Sequence, residues 1–313
     1  MRRPGNQGAA CRRSFTLIEA LVALGIFGLL CSLLVPAVQR TRETAARASC
    51  LNNLKQIGHA IHSYHDTFGC FPPARPPAVQ PPPTHEPDTL LNWMALVLPQ
   101  MGQEGLWDLS VQACAADWNP GSNPPHVGYA TVVRAFICPD DDARLSSPLG
   151  NAQFSPAAFT SYIGLDGIAG LAGHHPPRPG PLGSAPGIRL TDIVDGTSRT
   201  IMIGERPPPS SLQAGRWYPA FLYEMGSNGP DSYVWFPVLN DNDTECPHSG
   251  FPNLGPGRID NPCDRFHLWS LHPGGANFLF CDGSARFLPY SANSIIPALS
   301  TIAGGEQVSI PDL

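Results

Sequence analysis

From Phe15 to Val38 the chain reads FTLIEALVALGIFGLLCSLLVPAV, twenty-four residues with one charged side chain, Glu19. As a helix this run is about 36 Å long, enough to cross the hydrocarbon core of a bilayer with some tilt. Residues 1–14 carry Arg2, Arg3, Arg12 and Arg13 and no acid. The positive-inside rule therefore places them in the cytoplasm and the C-terminal bulk outside it. One spanning helix over residues 15–38 is the economical reading, and three others compete with it. A secretory signal has a shorter apolar core of about 7–15 residues, although Val35-Pro36-Ala37 is a tolerable cleavage site. A lipoprotein signal wants a small residue before its cysteine, and Leu30 precedes Cys31. A buried core helix has no use for the basic leader.

Glu19 is the residue that discriminates. An unpaired carboxylate inside a spanning helix costs a few kcal/mol and by default marks function. It lies four residues after Phe15, about one helical turn. A cut between Ser14 and Phe15 would create a free amine at that distance, the partner Glu19 needs. An uncut chain with a neutral Glu19 near the membrane edge is the competing explanation.

Arg13-Ser14-Phe15-Thr16-Leu17-Ile18-Glu19 resembles the cleavage and methylation signal of type IV prepilins and type II secretion pseudopilins, in which a basic leader precedes G-F-T-L-x-E. Ser14 stands where those families usually have Gly. Pro36, the twenty-second residue from Phe15, matches a helix-kinking proline common among them. The resemblance implies processing by the membrane-bound prepilin peptidase at Ser14/Phe15. It also implies assembly with other pilin-like subunits, and an inner-membrane location with the C-terminal domain on the periplasmic side.

The helical pattern continues beyond the apolar run, over residues 39–71. Ala45, Ala48, Leu51, Leu54, Ile57, Ile61, Tyr64 and Phe68 recur every three or four residues, while Arg40, Arg42, Glu43, Arg47, Asn53 and Lys55 occupy the other face. Gly69 and Pro72-Pro73 stop it. Residues 72–313 then form the exported domain. They open on eight prolines in the sixteen positions 72–87, an extended linker or loop. Only 14% of the chain is charged, and it holds 36 Pro and 31 Gly, a composition of short strands and loops. Leu90 to Leu106 reads as a helix broken near Pro99. Strands are predicted at Val132–Ile137, Ser161–Leu165, Thr200–Glu205, Tyr233–Leu239, Asn277–Cys281 and Ser284–Leu288. Asp282-Gly283 joins the last two as a hairpin turn. The expected fold class is α+β: a long N-terminal helix, membrane-spanning then amphipathic, packed in pilin-like fashion on an antiparallel sheet.

His272-Pro273-Gly274-Gly275 and Asp282-Gly283 leave nine residues between His and Asp, and this H-x9-D-G pattern resembles the signature of a large group of prepilin-like bacterial proteins. The same resemblance runs through Asn52-Asn53-Leu54-Lys55-Gln56-Ile57-Gly58, Phe136-Ile137-Cys138-Pro139, Asp195-Gly196-Thr197-Ser198 and Ala303-Gly304-Gly305-Glu306. It covers the chain from Phe15 to about Ser309.

Charge and motifs exclude several function classes. Without the leader, 15 basic residues face 25 acidic ones, so nucleic acid is not an expected partner. No G-x-x-x-x-G-K-[ST], G-x-G-x-x-G or G-x-S-x-G occurs, and no C-x-x-C. Apart from Cys11 in the leader and Cys31 in the apolar run, seven cysteines remain outside the membrane, an odd number, and Cys246 with Cys263 is the first pairing to test. His267, His272, Cys263, Asp264 and Asp282 are ligand or acid/base types. A structural role fits His272 better, its imidazole bonding backbone carbonyls or Asp282 to fix the turn. Asp241, Asp243 and Glu245 alternate like half of a calcium loop but lack its glycine and bidentate glutamate, so they read as a solvated loop. His59, His62 and His65 step along the helix, and His174-His175 sits in a Pro/Gly loop. The chain therefore reads as a structural, non-enzymatic subunit of a type II secretion-like or type IV pilus-like assembly without a required cofactor. The alternative is a tethered, non-polymerising domain that binds calcium, or glycan through Trp217, Trp235 or Trp269.

Overall fold

The computed structural model describes residues 17–74, 91–117, 119–122, 124–150, 156–168, 178–183, 187–212, 214–218, 233–236, 246 and 252–306. Ser14, Phe15, most of the proline-rich segment, His174, His175, Asp241, Asp243 and Glu245 lie outside them. The chain divides into two compact units, Met1–Ala45 and Ala46–Leu313.

In the first unit, helix α1 (Leu17–Phe68) begins, and it continues through Pro36. Every large apolar side chain from Leu17 to Val38 is exposed. Among the described residues α1 is the one helix long and apolar enough to cross a membrane.

The second unit is built on a mainly antiparallel sheet. Its helices are α2 (Trp93–Leu96), α3 (Glu104–Ala116), α4 (Val127–Ala130), α5 (Asp142–Leu145) and α6 (Ile296–Leu299). Its strands are β1 (Tyr162–Ile168), β2 (Arg178–Pro179), β3 (Ile201–Glu205), β4 (Tyr233–Phe236), β5 (Gly275–Phe280) and β6 (Ala285–Pro289), in the order β2-β1-β3-β5-β6. These neighbours pair antiparallel. The antiparallel sheet expected from the sequence is present, and β4 joins it as one parallel neighbour of β1.

Both faces of the sheet are covered, which is why β5 reads as an almost continuous apolar run. Leu279, Cys281 and Ile203 join Leu54, Ile57 and Ile61 of α1 in one core. Phe278, Phe280, Ile163 and Leu165 join Leu254, Leu268, Ile296 and Leu299 in another. A Cβ on Gly58 would come within 2.9 Å of Leu279 Cδ1, so the glycine sets how closely α1 approaches the sheet. The buried stripe is Cys50, Leu54, Ile57, Gly58, Ala60 and Ile61; Ala45, Ala48 and Phe68 of the expected stripe are exposed.

The helix expected over residues 90–106 is divided. Asn92 caps α2 by accepting from the N–H groups of Met94 and Ala95 and donates to the Trp217 carbonyl. A 3-10 turn follows at Pro99–Met101 and stops at Gly102, whose φ is 70°. The chain then starts afresh as α3. Val132–Ile137 is not a strand but holds a 3-10 turn, Arg134–Phe136. Its carbonyls are met from outside any ladder: Phe136 O accepts from Thr160 Oγ1 and the Ser161 N–H, and Ile137 O accepts from Asn53 Nδ2.

Candidate functional site

The pieces of the H-x9-D-G motif stand at the two ends of β5. A six-residue strand is roughly 17–20 Å long, so the nine intervening residues separate His272 from Asp282 rather than bring them together. The expected bond between them does not form. Asp282 accepts from the Ser284 N–H at 2.8 Å and pairs loosely with Arg286. Gly283 has φ 81° and donates its N–H to Phe280 O, closing the β5–β6 hairpin. The same turn is tied to a neighbouring motif, because Cys281 and Asp282 donate their N–H groups to Thr200 O and Thr197 O. That motif is tied to a third: the Asp195 carboxylate accepts from Gly304 N–H at 2.6 Å and Gly305 N–H at 3.0 Å.

At the other end of β5, Ser270 forms the turn that delivers His272. Its hydroxyl accepts from the His272 N–H at 3.0 Å and donates to Gly275 O at 2.7 Å. The imidazole is buried between groups from two other segments, the turn at residues 138–140 and the end of β3. Nε2 lies 3.4 Å from Cys138 Sγ and 3.5 Å from Glu205 Oε1, and Nδ1 lies 3.0 Å from Asp140 Oδ2. Glu205, the last residue of β3, is itself held by β5: Asn277 donates its backbone N–H to Oε2 at 2.7 Å and its side-chain amide to Oε1 at 3.0 Å. Cys138 is joined by a disulfide to Cys50 of α1, with 5.2 Å between the Cα atoms. Burial works against a charged imidazole, but the bond and charge of Glu205, helped by Asp140, outweigh it and raise the His272 pKa. Among the described residues, the side chains offering converging ligand-type atoms are Cys50, Cys138, Glu205 and His272, and all four are buried. A substrate has no access to them in this conformation.

The other sequence candidates fall elsewhere. Cys263 pairs with Cys246, the pairing proposed from the sequence. Asp264 accepts from the Arg258 N–H and Asn261 Nδ2, and His267 Nδ1 lies 3.9 Å from it. His59 is exposed, whereas the His62 and His65 rings pack on Phe71, so the three do not act as one metal stripe. Trp217 and Trp269 are 0% and 1% exposed and offer no ring to a glycan; the Trp235 side chain lies outside the described residues. A second buried group was not foreseen: Cys114, His126 and Tyr218, with His126 Nδ1 3.2 Å from the Tyr218 hydroxyl. Burial pushes the Cys114 thiol up, so it is held protonated rather than reactive.

Glu205, Asp140 and Cys50 were missed from the sequence. Cys50 stands two residues before the Asn52–Gly58 motif and Cys138 lies within Phe136–Pro139, so their positions carried a signal. Their pairing across 88 residues did not.

Comparison with protein families finds two matches. The prokaryotic N-terminal methylation motif covers residues 10–35. A family described as "protein of unknown function (DUF1559)" covers residues 39–294, most of the chain. The comparisons with curated proteins and with solved structures each found no match. The methylation motif makes this a prepilin-like protein of the kind processed by prepilin peptidase, and its apolar helix fits a single-pass inner-membrane anchor. The helix that carries residues 17–35 of that motif runs on to Phe68 and includes Cys50, Leu54 and Gly58 of the second unit, and over residues 39–294 the chain belongs to the DUF1559 family.

Proposed function

We propose that the protein is cut between Ser14 and Phe15 and serves as a membrane-anchored, non-enzymatic subunit of a type II secretion-like or type IV pilus-like assembly. Its C-terminal unit lies on the periplasmic side. The observation that carries this reading is the exposed face of α1: thirteen large apolar side chains from Leu17 to Val38, with Glu19 among them, all but Val38 within the methylation motif. Keeping that surface in water costs on the order of 20 kcal/mol, so lipid or the helices of neighbouring subunits must cover it. A free amine at Phe15 gives Glu19 of a neighbouring copy a charge partner and sets the stagger between helices.

Intact-mass and N-terminal analysis of the chain expressed with and without a prepilin peptidase tests the first step. The expected product begins at Phe15, and Ser14→Gly increases its yield. Glu19→Val is then expected to leave cleavage intact but remove the protein from the shearable or co-purifying assembly fraction. A chain that stays uncut beside the peptidase, or one that begins after Ala37, overturns the reading.

A further inference from the structure

We infer that Cys50, Cys138, Glu205 and His272 form a four-coordinate, zinc-type metal site in the dithiol form of the chain. In this inference the Cys50–Cys138 disulfide is the oxidised, metal-free alternative. The donor set argues for it first: two sulfurs, an imidazole nitrogen and a carboxylate oxygen suit a borderline-soft divalent cation such as zinc. The geometry argues for it second. Metal–ligand distances of about 2.0–2.3 Å at tetrahedral angles separate neighbouring donors by roughly 3.3–3.8 Å. His272 Nε2 already stands 3.4 Å from Cys138 Sγ and 3.5 Å from Glu205 Oε1, and all four donor atoms lie within 4.8 Å of one another.

The surroundings argue for it third. Metal-bound histidines commonly have a carboxylate on the ring nitrogen that faces away from the metal, fixing the ring. Asp140 Oδ2 occupies that place, 3.0 Å from Nδ1. Glu205 is oriented by two donors from Asn277. All four ligands are buried, which is the closed arrangement of a structural site rather than a catalytic one. The four come from α1, the loop before α5, the end of β3 and the turn before β5, so one ion would bind the helix to the sheet at the same point as the disulfide.

The cysteines of a newly made chain are thiols, so the metal-bound state requires no reductant. On binding, each thiol gives up its proton to solvent and its sulfur electron pair to the cation, with no change of oxidation state. Oxidation proceeds by exchange with a small-molecule or protein disulfide as the oxidant: two electrons pass from the two thiolates to that disulfide, which takes up two protons and leaves as two thiols, and the Cys50–Cys138 bond forms as the ion is ejected. For the test, a water-soluble phosphine reopens the bond: the disulfide gains two electrons and two protons, and the phosphine becomes its oxide with oxygen from water.

The experiment uses the full chain in detergent, reduced under anaerobic conditions and titrated with Co2+ alone. The expected result is one tightly bound cobalt with the visible bands of tetrahedral Co2+ and a near-ultraviolet thiolate-to-cobalt charge transfer. The signal is absent from the disulfide form and lost in Cys138→Ser. Asp140→Asn, at a partly exposed position, leaves the fold intact and weakens binding by about 10- to 100-fold. Zinc competes the cobalt away. A reduced chain that binds no cobalt, a spectrum without thiolate charge transfer, or affinity unchanged in Asp140→Asn overturns the inference. The last comparison does not depend on Cys138→Ser folding.

Discussion

At the scale of single residues, two positions are governed by opposite physical demands. Gly58 exists to leave room. An added methyl at 2.9 Å from Leu279 Cδ1 forces the leucine or the helix to shift, so Gly58→Ala is expected to destabilise the chain by about 1–3 kcal/mol, read from thermal or denaturant unfolding of the full chain in detergent. His126 exists to stay neutral. Burial lowers its pKa below the ordinary value, with Asp117 opposing weakly. The unfolded chain therefore takes up a proton before the folded one does. Stability contributed by the neutral ring is present above about pH 6.5 and is lost as pH falls toward the lower folded value. Replacing His126 by Gln should flatten the decline of stability between neutral and mildly acidic pH. An unchanged slope would mean that the folded ring titrates as it does in the unfolded chain. His62 is shifted in the same direction, so the wild-type slope has more than one source.

At the scale of elements, the two disulfides close loops of different length. Cys50–Cys138 spans 88 residues and Cys246–Cys263 spans 17. Loop-closure entropy then assigns about 4–5 kcal/mol to the first and about 3 kcal/mol to the second. In the oxidised chain, Cys50→Ala should lower the unfolding midpoint further than Cys246→Ala, and the reverse order would show that strain or residual structure outweighs chain entropy. The elements also show what sequence patterning can carry. The β5–β6 hairpin was legible because Asp282-Gly283 supplies the positive φ that its turn requires. α1 was legible because apolar composition and then a three-to-four spacing mark it. Val132–Ile137 was misread because its β-branched residues signal burial as well as strand, and its carbonyls turned out to be met by Thr160, Ser161 and Asn53. α3 was cut short because Pro99 and Gly102 mark a break without showing that helix resumes at Glu104.

At the scale of the whole molecule, the exposed apolar segment of α1 decides where the chain can reside. Full-length protein is expected to remain in the membrane pellet through an alkaline carbonate wash. The double substitution Leu24→Asp and Phe27→Asp, each about 3 kcal/mol less favourable at a helix centre, should release it. Retention of the double variant would point to an anchor elsewhere. By itself the sequence determined the anchor, the methylation signal, the α+β class and the position of the final hairpin, because each rests on a local pattern: an apolar run, a spacing, a turn residue that tolerates positive φ. Only the tertiary structure decided that β4 runs parallel to β1 and that Cys138 pairs with Cys50. It alone showed that His272 turns away from Asp282 toward Glu205 and Asp140. Those outcomes depend on which distant segments share a core, and no local spacing encodes which buried carboxylate will face a given imidazole.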